Sequence, residues 1–276
     1  MLLPVNPVGA CGADSDCKVV SGDYRIYLPA RPPILKATGQ AAQSQADSAG
    51  LPVIIFIHGL GGSSADMLAR HDYRRLADDL NVAFVAVNGL DHSWTFPGGV
   101  QRTTPPRDEF AYIGEVVSDI KNRFPVDPKK IILSGFSIGA SMTWNIACRD
   151  PSPYAGFITV AGTFWRPLPE KCAQPIANLY HFHGTGDRTF PLSGRIVKGK
   201  HQGDTFETFK ILYNQDICTR AVQKSFEFIG LRCMRHQTCE GKTVQLCLHD
   251  RTHIMRPFFL EAGFYQIAKA LGWPNI

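Results

Sequence analysis

The segment Ile131-Ile132-Leu133-Ser134-Gly135-Phe136-Ser137-Ile138-Gly139 decides how this chain is read. A short apolar, β-branched run leads into a turn of the form G-x-S-x-G, and the stretch Ser137 to Arg149 then follows helical spacing. A serine on so sharp a strand-to-helix turn lifts its hydroxyl above the sheet, and the flanking glycines let backbone pass where a Cβ would clash. The helix start behind it favours negative charge on a reacting group. The pattern therefore predicts Ser137 as a nucleophile and the Ile138 N–H as one donor of an oxyanion hole.

Similar short runs occur on either side. Val53 to Ile57, Ala83 to Val87, Gly156 to Val160 and Ala177 to His181 read as strands covered on both faces. Helical spacing appears at Ala65 to Leu80, at Phe110 to Phe124 through Ile113, Val116, Val117 and Ile120, and at Phe258 to Leu271. Tyr24 to Leu28 alternates like a half-buried strand. Lys224 to Arg232 and Lys242 to Leu248 read as two further strands, joined through Cys233 to Gly241. Strands alternating with helices predict an α/β chain, a mostly parallel sheet with helices on both faces, and the G-x-S-x-G turn after one of its strands makes the expected type the α/β-hydrolase fold. With 276 residues, 44% of them hydrophobic, one domain over 1–276 is expected, the polar run 36–50 being an exposed connection.

A serine nucleophile needs an oxyanion hole, a base and an acid. His58-Gly59-Leu60-Gly61-Gly62 closes the strand Val53 to Ile57 as a glycine-rich loop, so the Leu60 N–H is the expected second oxyanion donor, with His58 bonding loop backbone. For the acid, His183-Gly184-Thr185-Gly186-Asp187 places Asp187 just past a strand end. Its rivals are Asp204, Asp216 and Asp250, the first two in polar stretches with no strand before them. For the base, His249 and His253 both follow the last strand. His253 lies further out on the loop, where an imidazole can swing over the strand ends toward Ser137, while His249 sits at the strand terminus and can cap it. The order Ser137, Asp187, His253 is that of α/β hydrolases.

Composition narrows the other classes. The 29 Lys plus Arg against 24 Asp plus Glu are scattered in short pairs, so no basic stripe marks a nucleic-acid partner. No apolar run reaches the length of a membrane span. The cysteine spacing lacks close C-x2-C pairs, so no metal is expected, and ester hydrolysis through a serine needs no cofactor. The expected partner is a small-molecule or oligomeric ester. Eight cysteines point to an oxidising compartment, hence a secreted or periplasmic protein whose leader has been removed.

Over nearly its whole length the chain resembles the extracellular polyhydroxybutyrate depolymerase-like esterases, a group that includes feruloyl and acetylxylan esterases. The resemblance rests on Gly22-Asp23-Tyr24-Arg25 after the Cys-rich start, the His58-Gly59 loop, Asp108-Glu109-Phe110, the Asp127-Pro128 turn, Gly135 to Gly139, and His183-Gly184-Thr185 with Asp187. It implies a serine esterase, with Cys148 and Cys172 matching cysteines that such proteins carry after the nucleophile helix and before the acid strand. We expect disulfides Cys148–Cys172 and Cys11–Cys17. The other four cysteines allow three pairings, of which Cys218–Cys239 with Cys233–Cys247 is expected. Around the base, Asp250-Arg251-Thr252-His253-Ile254-Met255-Arg256-Pro257 replaces the family's glycine-rich, aromatic stretch with bulkier and charged residues. Three functions are weighed: a hydrolase of short hydroxyalkanoate or polyester-type esters, an esterase of plant cell-wall feruloyl or acetyl groups, and a non-catalytic binding protein. All three triad members being present disfavours the last. Trp94, Phe96 and Trp165 are the aromatics expected to line a substrate cleft.

Overall fold

The computed structural model describes residues 11–30, 50–173, 177–215, 222–238 and 240–273. In chain order the strands are β1 (Cys17–Val19), β2 (Gly22–Tyr27), β3 (Leu51–Ile57), β4 (Ala83–Val87), β5 (Val126–Phe136), β6 (Gly156–Val160), β7 (Leu179–Gly184), β8 (Ile196–Val197), β9 (Lys200–His201), β10 (Val222–Phe228), β11 (Leu231–Gln237) and β12 (Thr243–His249). The helices are α1 (Ser64–Ala69), α2 (His71–Leu80), α3 (Glu109–Arg123), α4 (Ile138–Arg149), α5 (Thr205–Gln215) and α6 (Pro257–Ala270). Ten strands form one sheet in the order β1-β2-β4-β3-β5-β6-β7-β12-β11-β10. The six from β4 to β12 run parallel, and antiparallel strands extend the sheet on both sides.

Alternation along the strands builds two cores. Val53, Ile55, Ile131 and Leu133 face α3, α4 and α5, while Ile54, Phe56, Ile132 and Ile158 face α1, α2 and α6. The chain leaves β3 toward β4 on one side and returns as β5 on the other. The carboxyl ends of β3 and β5 are therefore the topological switch point, the place where ligands of open α/β sheets bind.

Three segments differ from the sequence expectation. The single helix expected over Ala65 to Leu80 breaks at Arg70, which is extended at φ −79°, ψ 117°. Leu68 and Tyr73 are both buried, yet five residues apart they would sit about 140° round a straight helix, and the break brings both onto the sheet. The single strand expected over Lys224 to Arg232 is a hairpin. Phe228 pairs with Leu231 across Ile229 (φ 48°) and Gly230 (φ 71°), the two positive angles of a type I′ turn. Helix α5 was not anticipated; Asp204 starts it by accepting the Glu207 N–H at 2.9 Å, so this rival for the acid is a helix cap. Asp216 and nearly all of the polar run 36–50 lie outside the described residues.

The disulfides Cys11–Cys17, Cys148–Cys172 and Cys233–Cys247 are formed, while Cys218–Cys239 lies outside the described residues. Cys148–Cys172 clamps the end of α4 to the segment that leads into β7, beside a backbone bond from Ala173 N–H to Cys148 O of 2.7 Å. Its loop spans 24 residues, and closing a loop of that size restricts the unfolded chain by about 3 kcal/mol. Replacing Cys148 and Cys172 together by serine is expected to lower the free energy of urea unfolding by about 2–4 kcal/mol. A double variant as stable as the parent would show that this bridge does not stiffen the fold.

Candidate active site

Ser137 sits between the end of β5 and the start of α4 with φ 57° and ψ −124°, a backbone conformation that L-residues adopt only when the surroundings enforce it. Its N–H donates to Val160 O at 2.9 Å and its carbonyl accepts the Ser141 N–H at 3.0 Å, so the elbow is tied to both β6 and α4. The flanking glycines are required by space. A Cβ on Gly139 would stand 2.2 Å from Ile57 O, and one on Gly135 would stand 2.4 Å from Gly139 O.

The His58–Gly62 loop lies against this elbow. Buried His58 accepts the Gly89 N–H at Nε2 (3.0 Å), so its Nδ1–H donates to Gly59 O (2.7 Å). Burial lowers the His58 pKa and the ring stays neutral. It has the structural part expected of it. Trp94 Nε1–H holds His58 O at 2.8 Å, and His92 straps the loop from outside, its carbonyl taking the Gly61 N–H at 2.8 Å. Ile138 opens α4, so its N–H has no acceptor within the helix. Among the described residues no backbone carbonyl takes the Leu60 N–H either, and the Leu60 side chain is half exposed.

A brace beneath this loop comes from Asp108-Glu109-Phe110. The Asp108 carboxylate caps α3 by accepting the Phe110 and Ala111 N–H groups. Glu109 pairs with Arg107 at 2.7 Å, both nearly buried, and Arg107 lies 3.7 Å over the Tyr112 ring while donating to Asn88 O. The sequence marks Asp108-Glu109-Phe110 only through the family resemblance, and nothing in the spacing says that Arg107 turns inward.

Asp187 and His253 are brought together. The His253 Nδ1–H donates to Asp187 Oδ2 at 2.7 Å, while Asp187 Oδ1 accepts the N–H groups of Thr189 and Phe190 at 2.8 Å each. Burial pushes the Asp187 carboxyl upward, but the His253 and Phe190 hydrogen bonds outweigh it and hold the pKa below the ordinary value. The loops carrying the two residues are stitched: Thr185 N–H donates to His249 O at 2.8 Å, and Gly186 N–H to Arg251 O at 3.2 Å. The His253 ring packs 4.7 Å, centre to centre, from the ring of Phe136, the residue before Ser137. His249 instead stacks on Phe259 at 5.1 Å and accepts the Arg251 N–H, and Asp250 is exposed.

The expected cleft aromatics require a correction. Trp94, Phe96 and Trp165 are 2%, 7% and 4% exposed, so they are core residues beneath the site and present no open face. Trp94 is spent on His58; Trp165 donates to Ser141 Oγ at 3.3 Å and packs edge-on against Phe190 at 6.3 Å, behind the turn that holds Asp187. Loop position gave no hint of this, because each indole N–H finds a buried acceptor.

A serine elbow after a central strand of a doubly wound sheet, with a carboxylate–imidazole pair at the ends of β7 and β12, defines the scaffold class of α/β hydrolases. Residues 52–192 match the family described as alpha/beta hydrolase fold, and the chain belongs to that family. Poly(3-hydroxyalkanoate) depolymerase C of Paucimonas lemoignei is 29% identical over 112 residues, covering 40% of this chain and 25% of that protein. Feruloyl esterase C of Emericella nidulans is 27% identical over 117 residues, covering 41% of this chain and 38% of that protein. The chain spans between 25% and 52% of the length of the first curated relatives it matches. Among solved structures, acetyl xylan esterase from Aspergillus awamori superposes with a TM-score of 0.59 at 13% identity, over 89% of this chain and 94% of that one, a likeness of fold.

Proposed function

We propose that the chain is a serine carboxylic-ester hydrolase acting on short hydroxyalkanoate or polyester-type esters. The observation that carries the reading is the 2.7 Å bond from His253 Nδ1 to buried Asp187, with the His253 ring packed on Phe136 beside the Ser137 elbow. Ser137 Oγ attacks the ester carbonyl carbon while His253 Nε2 takes the hydroxyl proton, and the N–H groups of Leu60 and Ile138 receive the oxyanion. Collapse breaks the bond to the alcohol oxygen, which takes the proton from His253. Water, deprotonated by the same imidazole, then releases the acid from Ser137. Asp187 stays ionised throughout and keeps the His253 Nδ1 proton in place. Three disulfides support an oxidising, extracytoplasmic setting.

The substrate reading rests on the rim. Trp94 and Trp165 are buried and present no face to a feruloyl ring, whereas the exposed Arg188, Arg251 and Arg256 lie on the acid and base loops. Short hydroxyacid oligomers end in a carboxylate that such cations attract. Initial rates on the hydroxybutyrate dimer, methyl ferulate and acetylated xylan test this. A higher kcat/KM on the dimer is expected, and a preference for methyl ferulate or acetylated xylan would overturn the substrate class.

A further inference from the structure

Behind Asp187 lies a line of polar side chains that the ester chemistry does not itself use. Thr159 on β6 stands opposite His181 on β7, and His183 is on the same face two residues on. Thr159 Oγ1 lies 2.8 Å from His181 Nδ1, His181 Nε2 lies 2.9 Å from His183 Nδ1, and His183 Nε2 lies 2.7 Å from Phe190 O. All three side chains are buried.

Only one arrangement of protons satisfies this line. The Phe190 carbonyl can only accept, so His183 carries its proton on Nε2 and offers a lone pair at Nδ1. His181 must then donate from Nε2 and accept at Nδ1, and the Thr159 hydroxyl donates to it. Burial lowers the pKa of both rings, and a second proton on His183 would set its Nδ1–H against the His181 Nε2–H. The end of the line is Phe190, whose N–H holds Asp187 Oδ1, and the donating His183 Nε2 is 3.6 Å from Asp187 Oδ2. The charged or titratable groups facing His183 are Asp187, His253 and His249; His181 faces His183, with Trp144 and Phe209 packed on its ring.

We infer that Thr159, His181 and His183 are positioning residues: the line holds the His183 ring in place, and His183 through the Phe190 peptide holds the Asp187 carboxylate in its aim at His253. The inference rests on the reading of Asp187 and His253 as acid and base. With the Thr159 donor removed, the buried His181 Nδ1 lone pair is left without its donor, the ring is no longer held from β6, and the disturbance passes through His183 to the Phe190 peptide and the acid loop.

Thr159→Val keeps the shape and removes the donor, and Thr159→Ser restores it. For Thr159→Val we expect an unchanged KM with kcat down about tenfold, less than the hundredfold that a 1 Å displacement costs, and a melting temperature lowered only by the loss of one buried hydrogen bond. The low-field proton resonance of the His253–Asp187 bond is expected to shift or broaden. Thr159→Ser is expected to recover both kcat and the resonance, even if it melts lower for want of a methyl group. His181→Phe, which leaves His183 Nδ1 without a donor, should reproduce the loss if the valine variant does not fold. Wild-type kcat with an unmoved resonance in Thr159→Val, or losses in the valine and serine variants that simply follow melting temperature, would overturn the inference. The resonance is read without substrate, so a failure of Ser137 as nucleophile would leave this result standing and be seen separately.

Discussion

Ser137→Ala is expected to lower kcat by about 10⁶ while leaving the melting temperature nearly unchanged, as loss of the attacking serine does in serine proteases. The size of the effect follows from the mechanism. The hydroxyl is the only protein group that bonds to the acyl carbon, and a water bound in its place lacks both its fixed position and its alignment with His253. The fold should not suffer, because what holds the elbow is backbone: the Ser137 N–H to Val160 O, the Ser141 N–H to Ser137 O, and the close passage of Gly135 and Gly139. Alanine at φ 57° bears the same steric strain as serine. Turnover of a p-nitrophenyl acyl ester by parent and variant gives the rate. A fluorophosphonate reagent followed by peptide mapping gives the site, with Ser134 and Ser141 as nearby controls. An active Ser137→Ala protein, or label recovered on another serine, would sink the assignment.

Sequence reading succeeded where one local rule decides a segment. The β-branched runs at Val53, Ala83 and Gly156 become central strands, and G-x-S-x-G becomes the elbow because the same glycines that define the motif are those the close backbone contacts demand. It failed where tertiary contacts override the local signal. Ile229 is an unusual residue at positive φ, so the hairpin that reverses at Ile229-Gly230 is hidden inside the stretch Lys224 to Arg232, which reads as one strand. The helix break at Arg70 serves the burial of Leu68 and Tyr73 on a sheet that no local window contains. Trp94 and Trp165 sit in loops, yet their indole N–H groups are taken up by His58 O and Ser141 Oγ, acceptors far away in sequence. The Thr159–His181–His183 line had a legible trace in the spacing His181-x-His183 on one strand. Its meaning depends on the register of β6 against β7, which appears only in the folded sheet.

The choice between the two histidines after β12 gives the second large effect: His253→Ala is expected to cost about 10⁶ in kcat, and His249→Ala less than about tenfold. The geometry separates the two rings. His253 is partly exposed, donates to Asp187 and leaves Nε2 for the serine proton. His249 is buried and stacked on Phe259, its Nδ1 occupied by the Arg251 N–H and its Nε2 without a hydrogen-bond partner among the described residues. Burial lowers its pKa, and the stack on Phe259 and the Arg251 bond hold the ring at the end of β12. Removing it should show in stability, through the lost stack on Phe259, more than in rate.

His253→Ala carries a further signature in acid. Because His253 helps hold the Asp187 pKa below its ordinary value, the pair adds stability above the unfolded carboxylate pKa. That contribution is lost as pH falls through the lowered folded value. The variant lacks that contribution, so its Asp187-linked acid destabilisation should be displaced to higher pH. Urea melts of both proteins between neutral and acid pH read this directly, and a His253→Ala profile parallel to the parent would mean that the imidazole does not sit on Asp187 in solution. If instead His249→Ala abolishes turnover and His253→Ala retains it, the base comes from the strand end, and the Asp187–His253 bond serves only to close the loop.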